Sequence, residues 1–265
     1  MNKIYKCFPQ GKHKVLTMSY DDGKLADRRL VSIFNQYGVK ATFHLNSGLM
    51  EQDIRIPKAE IKTLYQGHEI AAHTLTHPTL ARCPVEQIAG EVLEDRKNLE
   101  KITGYPVRGL SYPNGSFSKS IEELLPHLGI EYARTVRETH SFAMPEDFFA
   151  WDATCHHKHQ LMEHAQEFVS LFKTQYFYMM YVWGHSYEFD NDQNWKLIEE
   201  FCKFIGRKDD IWYATNIEIV DYLKAVDNLK FTVEGDLVYN PSALDVWISV
   251  NGETVKVPGG DQRRL

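Results

Sequence analysis

Ser19-Tyr20-Asp21-Asp22-Gly23 is the stretch on which the reading of this chain turns. It follows Val15-Leu16-Thr17-Met18, an apolar run that reads as a buried strand. Two adjacent carboxylates at the end of such a strand are costly to hold dry without a cation or a proton between them. The glycine after them lets the backbone turn sharply and brings both acids to the rim of the sheet. Such a pair can divide its labour, one carboxylate binding a metal and the other moving protons. Taken alone, the stretch reads sooner as an ordinary Asp-Asp-Gly turn after a strand.

A second polar cluster, His73-Thr74-Leu75-Thr76-His77, follows the strand-like segment Glu69-Ile70-Ala71-Ala72. If the chain turns helically there, histidines at i and i+4 share one face and can converge on a cation. The plainer alternative is a pair of surface histidines at a helix start. In an α/β barrel the loops after the strands gather on one face, which would bring the two clusters together. Two histidines and one carboxylate with an open fourth position make a catalytic zinc set.

In order and content these motifs resemble the polysaccharide deacetylase family, also called the NodB-homology or carbohydrate esterase 4 family. Its first motif is usually Thr-Phe-Asp-Asp-Gly and its second His-Ser/Thr-x-x-His. The resemblance runs from about Val15 to about Ala225. It implies that Asp22, His73 and His77 bind a divalent metal, zinc first, with cobalt, nickel or manganese as alternatives. It also implies that Asp21 is the general base. The family's third motif, Arg-x-Pro-x-Gly, aligns with Ser111-Tyr112-Pro113-Asn114-Gly115, so a serine stands where the arginine that contacts the catalytic carboxylate is expected. Arg108, Arg134 and Arg137 are the candidates to replace it, Arg134 being preferred and also a candidate substrate contact. Each is otherwise a surface ion pair of little worth. Tyr112 is a candidate wall of the site, and the resemblance makes its backbone N–H an oxyanion donor.

Phe148 to His157 stands in the place of the fourth motif, although the order and spacing of Trp151 and Asp152 depart from the family's. Trp151 is either a stacking platform for a sugar ring or a core residue. His156 and His157 are either additional site residues or loop histidines without a role. The β-prone run Tyr176 to Trp183 ends in Gly184-His185 and resembles the fifth motif, Leu-x-His. His185 is then the general acid, a natural proton donor to an amine near neutral pH. Glu188 and Asp190 are both candidates to orient it. His44 lies in a predicted strand and reads as a packed barrel histidine.

The remainder of the chain is consistent with one barrel-sized unit. Its 265 residues are 43% hydrophobic, enough for a substantial core. The net charge of −6 and the lack of a basic stripe argue against a nucleic-acid partner, and none is expected. Cys7, Cys83, Cys155 and Cys202 are widely spaced and read as free thiols, which fits a reducing compartment. No signal-peptide-like or membrane-spanning run is present, so a cytoplasmic location and no membrane partner are expected.

Helices are expected over 25–38, 58–66, 84–102, 161–173, 195–205 and 217–226, with strands at 39–45, 132–137 and 211–216. The charges of 84–102 read as a solvated face. Alternation of strand and helix predicts parallel strands with right-handed crossovers. The fold expected from the resemblance is α/β, a distorted barrel of seven or eight strands over 1–228. Period-two patterning and Asn251-Gly252 predict a small antiparallel β appendage over 229–265. The function implied is removal of acetyl groups from N-acetylated sugars. A small non-sugar linear or cyclic amide is the alternative substrate, favoured by the predicted location and by Ser111. A carbohydrate-binding relative that keeps its metal without turnover is the other.

Overall fold

The computed structural model describes residues 2–265. Strand β1 (Ile4–Cys7) leads into β2 (Lys14–Asp21), in which all eight residues are buried. The strands that follow are β3 (Ala41–Leu45), β4 (Glu69–Ala72), β5 (Gly109–Ser111) and β6 (Tyr132–Glu138), then β7 (Trp151–Ala153), β8 (Cys155–His156), β9 (Tyr178–Gly184) and β10 (Ile211–Tyr213). Between them run α1 (Asp27–Tyr37), α2 (Lys58–Leu64), α3 (Val85–Thr103), α4 (Lys119–Leu124), α5 (Leu161–Ser170), α6 (Tyr187–Asn191) and α7 (Trp195–Ile205). Helix α8 (Asn216–Asp227) follows β10 and starts in a capping box formed by Thr215 and Glu218.

The nine strands β2–β10 form one sheet in the order β7-β6-β5-β4-β3-β2-β9-β8, with β10 also on β2. Every pairing in it is parallel. Strand β2 is its axis. One edge pairs with β9 from Lys14↔Tyr178 to Tyr20↔Gly184. The other edge is divided: β10 takes Lys14 to Leu16 and β3 takes Met18 to Asp21. The segment expected to close the barrel therefore wedges beside β3, which gives nine strands where seven or eight were expected. Two faces covered by structure explain why β2 and β9 read as unbroken apolar runs.

The helices lie where periodicity puts them. Helix α7 buries Trp195, Ile198, Phe201, Cys202 and Ile205, a single stripe. Helix α1 ends at Gly38 in the left-handed conformation (φ 70°), which suits glycine at this position. Helix α5 stops at Ser170, short of the expected Lys173.

The appendage is two small sheets. Strands β13 (Val246–Val250) and β14 (Glu253–Val257) form a hairpin whose turn residues Asn251 and Gly252 both have positive φ. Strand β1 pairs antiparallel with β13, so the N-terminal strand and residues 229–265 share a sheet. Strands β11 (Lys230–Phe231), β12 (Leu237–Tyr239) and β15 (Gln262–Arg264) make the second sheet. Val238, Val246, Ile248 and Val257 bury their side chains in one cluster with Trp151, Tyr181 and Tyr222. Among the described residues all four cysteines are unpaired, and no helix is long and apolar enough to cross a membrane.

One polar group pins the barrel interior. Buried Glu69 accepts from the Tyr132 hydroxyl (2.8 Å), the Thr42 hydroxyl (2.8 Å) and the Ile217 N–H (2.9 Å). It thereby joins β4 to β6, β3 and α8. Burial pushes its carboxyl up to about 7 despite these donors. Glu69→Gln keeps the volume but turns an amide NH2 toward groups that donate. Urea unfolding at pH 8 is expected to show a loss of about 1–3 kcal/mol, the usual cost of an unmet buried donor; an unchanged midpoint would show that the pin contributes nothing.

Candidate functional site

The site is built at the C-terminal rim of β2, β4, β5, β6 and β9. Asp21 closes β2, buried to 2% exposure, and Asp22 leaves the sheet with φ 81°. Gly23 follows at φ 61°, which makes the sharp turn that Asp-Asp-Gly predicts. The loop after β4 carries His73 and His77. The helical spacing expected for this pair is absent: Thr74 (φ 66°) and His77 (φ 64°) are left-handed. The imidazoles meet through an irregular loop instead, with ring centroids 4.7 Å apart and edge to face.

Ligand atoms of Asp22, His73 and His77 all lie within 4.8 Å of one another. The hydrogen bonds on His73 decide what it can offer. Its Nδ1 lies 2.9 Å from the Ser111 carbonyl oxygen and 2.6 Å from Ser111 Oγ. A carbonyl only accepts, so Nδ1 carries the proton and Nε2 keeps its lone pair. Burial pushes this imidazole down to about 4, which also keeps the lone pair free. The donor set fits a divalent cation.

A second triplet, His156, His157 and Glu188, has similar spacing. Its tautomers point the other way. His156 Nδ1 accepts from the Lys158 N–H (3.2 Å), so its proton sits on Nε2, 3.1 Å from Glu188 Oε2. That nitrogen is a donor to the carboxylate and has no lone pair for a metal.

Asp21 is held by two groups. Ser111 Oγ donates to its Oδ1 (3.1 Å), and Arg134 Nη2 donates to Oδ2. Burial alone would raise this carboxyl. The Arg134 guanidinium, with His73, His44 and His185 behind it, outweighs burial and holds Asp21 far below the ordinary carboxylate range. Ser111, where the third motif has an arginine, thus bridges His73 and Asp21. The guanidinium arrives from β6, stacked on the Trp183 ring at 4.5 Å. Arg108 is elsewhere, paired with Asp221 and Glu131, and Arg137 pairs with Asp152.

His185 stands beyond β9 on the same rim. Glu188 Oε2 lies 3.0 Å from its N–H and 3.3 Å from its Nδ1. Burial opposes protonation of His185, but this bond and the charges of Asp21, Glu188 and Asp22 raise its proton affinity above the ordinary value. Asp190, the other candidate to orient it, accepts from Trp195 Nε1.

The structure corrects the expected substrate contacts. Trp151 is fully buried among Tyr132, Phe148 and Tyr181 and presents no face to a ligand. Tyr112 is buried, stacked on Phe117, with its hydroxyl donated to the Phe149 carbonyl. Its backbone N–H donates to the Arg134 carbonyl (3.0 Å), so it cannot serve as an oxyanion donor. Arg134 is itself fully buried and reaches Asp21, with no path to a substrate.

Four further residues support the site. Asp95 accepts from the N–H groups of Ser47 (2.7 Å) and His73 (3.0 Å). Glu91 accepts from the N–H (2.8 Å) and hydroxyl (2.6 Å) of Thr76. These two acids of α3 are buried against the histidine loop, which corrects the solvated face expected there. Their signal was positional: Asp95 falls in the apolar stripe of Ile88, Val92 and Leu99. Asn46 donates to the carbonyls of His73 and Thr74 and accepts from Arg55, and Arg55 donates to the Asp22 carbonyl. Arg55 lies in a loop without periodicity and left no trace in the sequence.

Comparison with known proteins finds similar chains. The polysaccharide deacetylase family profile matches residues 9–133. The peptidoglycan-N-acetylglucosamine deacetylase PgdA of Listeria monocytogenes is 25% identical over 118 residues, 43% of this chain and 25% of that protein. The peptidoglycan-N-acetylglucosamine deacetylase of Bacillus cereus is 28% identical over 109 residues, 40% of this chain and 38% of that protein. The chain thus aligns with well under half the length of these relatives. The crystal structure of a putative polysaccharide deacetylase from Mycobacterium smegmatis shares the fold, with a TM-score of 0.61 at 16% identity over 83% of this chain and 93% of that one. The match over residues 9–133 makes that part of the chain similar to the polysaccharide deacetylase family, and the Mycobacterium smegmatis structure shows that the chain shares its fold.

Proposed function

We propose that this chain is a metal-dependent hydrolase that removes acetyl groups from N-acetylated saccharides. The observation that carries the proposal is the Asp21–Ser111–His73 chain of hydrogen bonds, which joins a candidate base to a candidate metal ligand beside Asp22 and His77. Asp22, His73 Nε2 and His77 would hold the cation, with zinc the first expectation for a two-imidazole, one-carboxylate set. When bound, such a cation supplies Lewis acidity, acidifying water and polarising an acyl oxygen.

The protein's own groups do the rest. Asp21 accepts a proton from the attacking water. Arg134 keeps it ionised at every working pH, at a cost in basicity that an acidified water tolerates. Its burial and its two fixed donors leave one orientation for the remaining lone pairs. His185 donates a proton to the departing amine nitrogen, and Glu188 fixes the ring that does so. Arg134 also bears on substrate class. Ser111 had favoured a small amide, yet the guanidinium is present, supplied by another strand.

Acetate release from N-acetylglucosamine oligomers, run beside small linear and cyclic amides, tests the reading. Asp21→Asn is expected to lower kcat by at least about a thousandfold while metal content stays near one ion per chain. His73→Ala is expected to lose both. Retained turnover in Asp21→Asn would remove Asp21 as base. Hydrolysis confined to the amides would select the small-amide substrate, and one bound ion with no turnover of either would select the non-catalytic relative. Direct metal analysis after zinc loading should give one ion per chain, not two, since His156 Nε2 is protonated; His73→Ala should then give none.

A further inference from the structure

His156 lies at the end of β8, buried to 7% exposure, with its ring edge against Trp183 (centroids 4.6 Å, 83°). The relay runs from the Lys158 N–H to His156 Nδ1, and from His156 Nε2 to Glu188 Oε2. The same oxygen Oε2 faces the N–H and Nδ1 of His185. Glu188 Oε1 faces Lys158 Nζ at 3.2 Å, and Lys158 reaches Asp192 at 2.7 Å. One carboxylate oxygen therefore bonds His156 of β8 and His185 beyond β9, with His157 Nε2 3.5 Å away.

We infer that His156 is a positioning residue for the proton donor, holding the Glu188 carboxylate against His185 and drawing off part of its charge. The inference rests on the reading of His185 as the acid. The physics is that of a shared acceptor. A carboxylate oxygen that accepts from His156 has less negative charge to offer His185. Without His156 the full charge acts on His185, and the imidazolium is stabilised further. Without the Glu188 charge it is stabilised less. The two losses push His185 in opposite directions, which simple packing damage does not do.

The charged and titratable groups around His185 come from three segments. Tyr187 and Glu188 come from its own loop and α6, Asp21 and Asp22 from the end of β2, and His156 and His157 from the end of β8. His157 is stacked between Tyr20 and Phe189 (4.2 Å from the latter), and burial pushes it down to about 2, so it stays neutral and contributes a constant background.

The test is an NMR titration of the His185 ring in metal-free protein, which needs no turnover. Relative to wild type, Glu188→Gln is expected to lower the His185 midpoint by about one unit, and His156→Phe to raise it by about half a unit. His156→Gln restores an N–H donor to Oε2 and is expected to stay within about 0.2 unit of wild type. In saccharide deacetylation the alkaline limb of kcat/KM should move with the midpoint. A midpoint that His156→Phe leaves unchanged or lowers, in a variant that melts like wild type, would overturn the inference. If His156→Phe does not fold, a shift in His156→Gln larger than half a unit would overturn it instead. A correct titration without acetate release from any saccharide would sink the deacetylase reading and leave the His156 relay standing.

Discussion

The rest of the site depends on one buried ion pair, Asp21 with Arg134. Taking two charges out of water costs several kcal/mol per ion, and attraction repays this only when the remaining lone pairs are met. Here Ser111 meets one from β5, Thr135 receives the second arm of the guanidinium at 2.8 Å, and the Trp183 ring covers its face. Removing either ion strands the other, a loss of about 3–5 kcal/mol in comparable buried pairs. The pair therefore fixes β2 and β6 relative to each other at the rim, and a base cannot be lost here without straining the fold. Because Arg134 on β6 reaches this carboxylate, no guanidinium is needed from position 111 at the end of β5. That freedom explains how a serine occupies position 111: what the chemistry needs is a cation at Asp21, not an arginine at a given place in the chain.

The histidine loop is held by a different device. Left-handed residues at Thr74 and His77 cost on the order of 1 kcal/mol each or more, and they persist only where neighbours over-determine them. Two buried acids of α3 do this. Asp95 and Glu91 accept from three backbone N–H groups and one hydroxyl of the loops after β3 and β4. Desolvation pushes Asp95 up to about 7 even with these donors, so its ionisation near neutrality leans on the loop being in place. Loop and helix thus support each other, and the imidazoles gain a fixed aim that the loop alone would not give.

Much of this was legible in the sequence, and the parts that were not share a cause. Apolar runs gave β2, β3, β4 and β9, and period 3.6 gave α1, α3, α7 and α8 to within a few residues, because each rests on a pattern local to its own segment. The turn at Asn251-Gly252 was legible for the same reason. What local pattern does not carry is which strand a segment pairs with. Strand β10 was readable as a strand, but its place on β2 beside β3 follows from packing across the chain. Trp151 was open between platform and core, and burial in the cluster beneath the barrel decides for core. Tyr112 failed as a donor because its N–H is used by the neighbouring strand, a fact of register. The i, i+4 argument for His73 and His77 reached a convergent pair by a geometry the backbone does not adopt. Spacing limits which residues can meet; it does not say how.

Two histidine clusters of similar dimensions sit in this molecule, and distance alone does not tell them apart. The far nitrogen of each ring does. In the first cluster His73 Nδ1 faces a carbonyl, a group that can only accept, and the lone pair is left on the side of Asp22. In the second, His156 Nδ1 faces an N–H, a group that can only donate, and the proton is left on the side of Glu188. The backbone group behind an imidazole thereby assigns it to metal binding or to proton handling. The same sequence symbol, a histidine after a buried strand, acquires opposite chemistry from which backbone atom its strand ends beside. For His73 that choice is made by the neighbouring strand β5, which brings the Ser111 carbonyl to the ring, and for His156 by the turn that follows it, which returns the Lys158 N–H two residues on, so the division of labour at this rim is a property of the backbone before it is a property of the side chains.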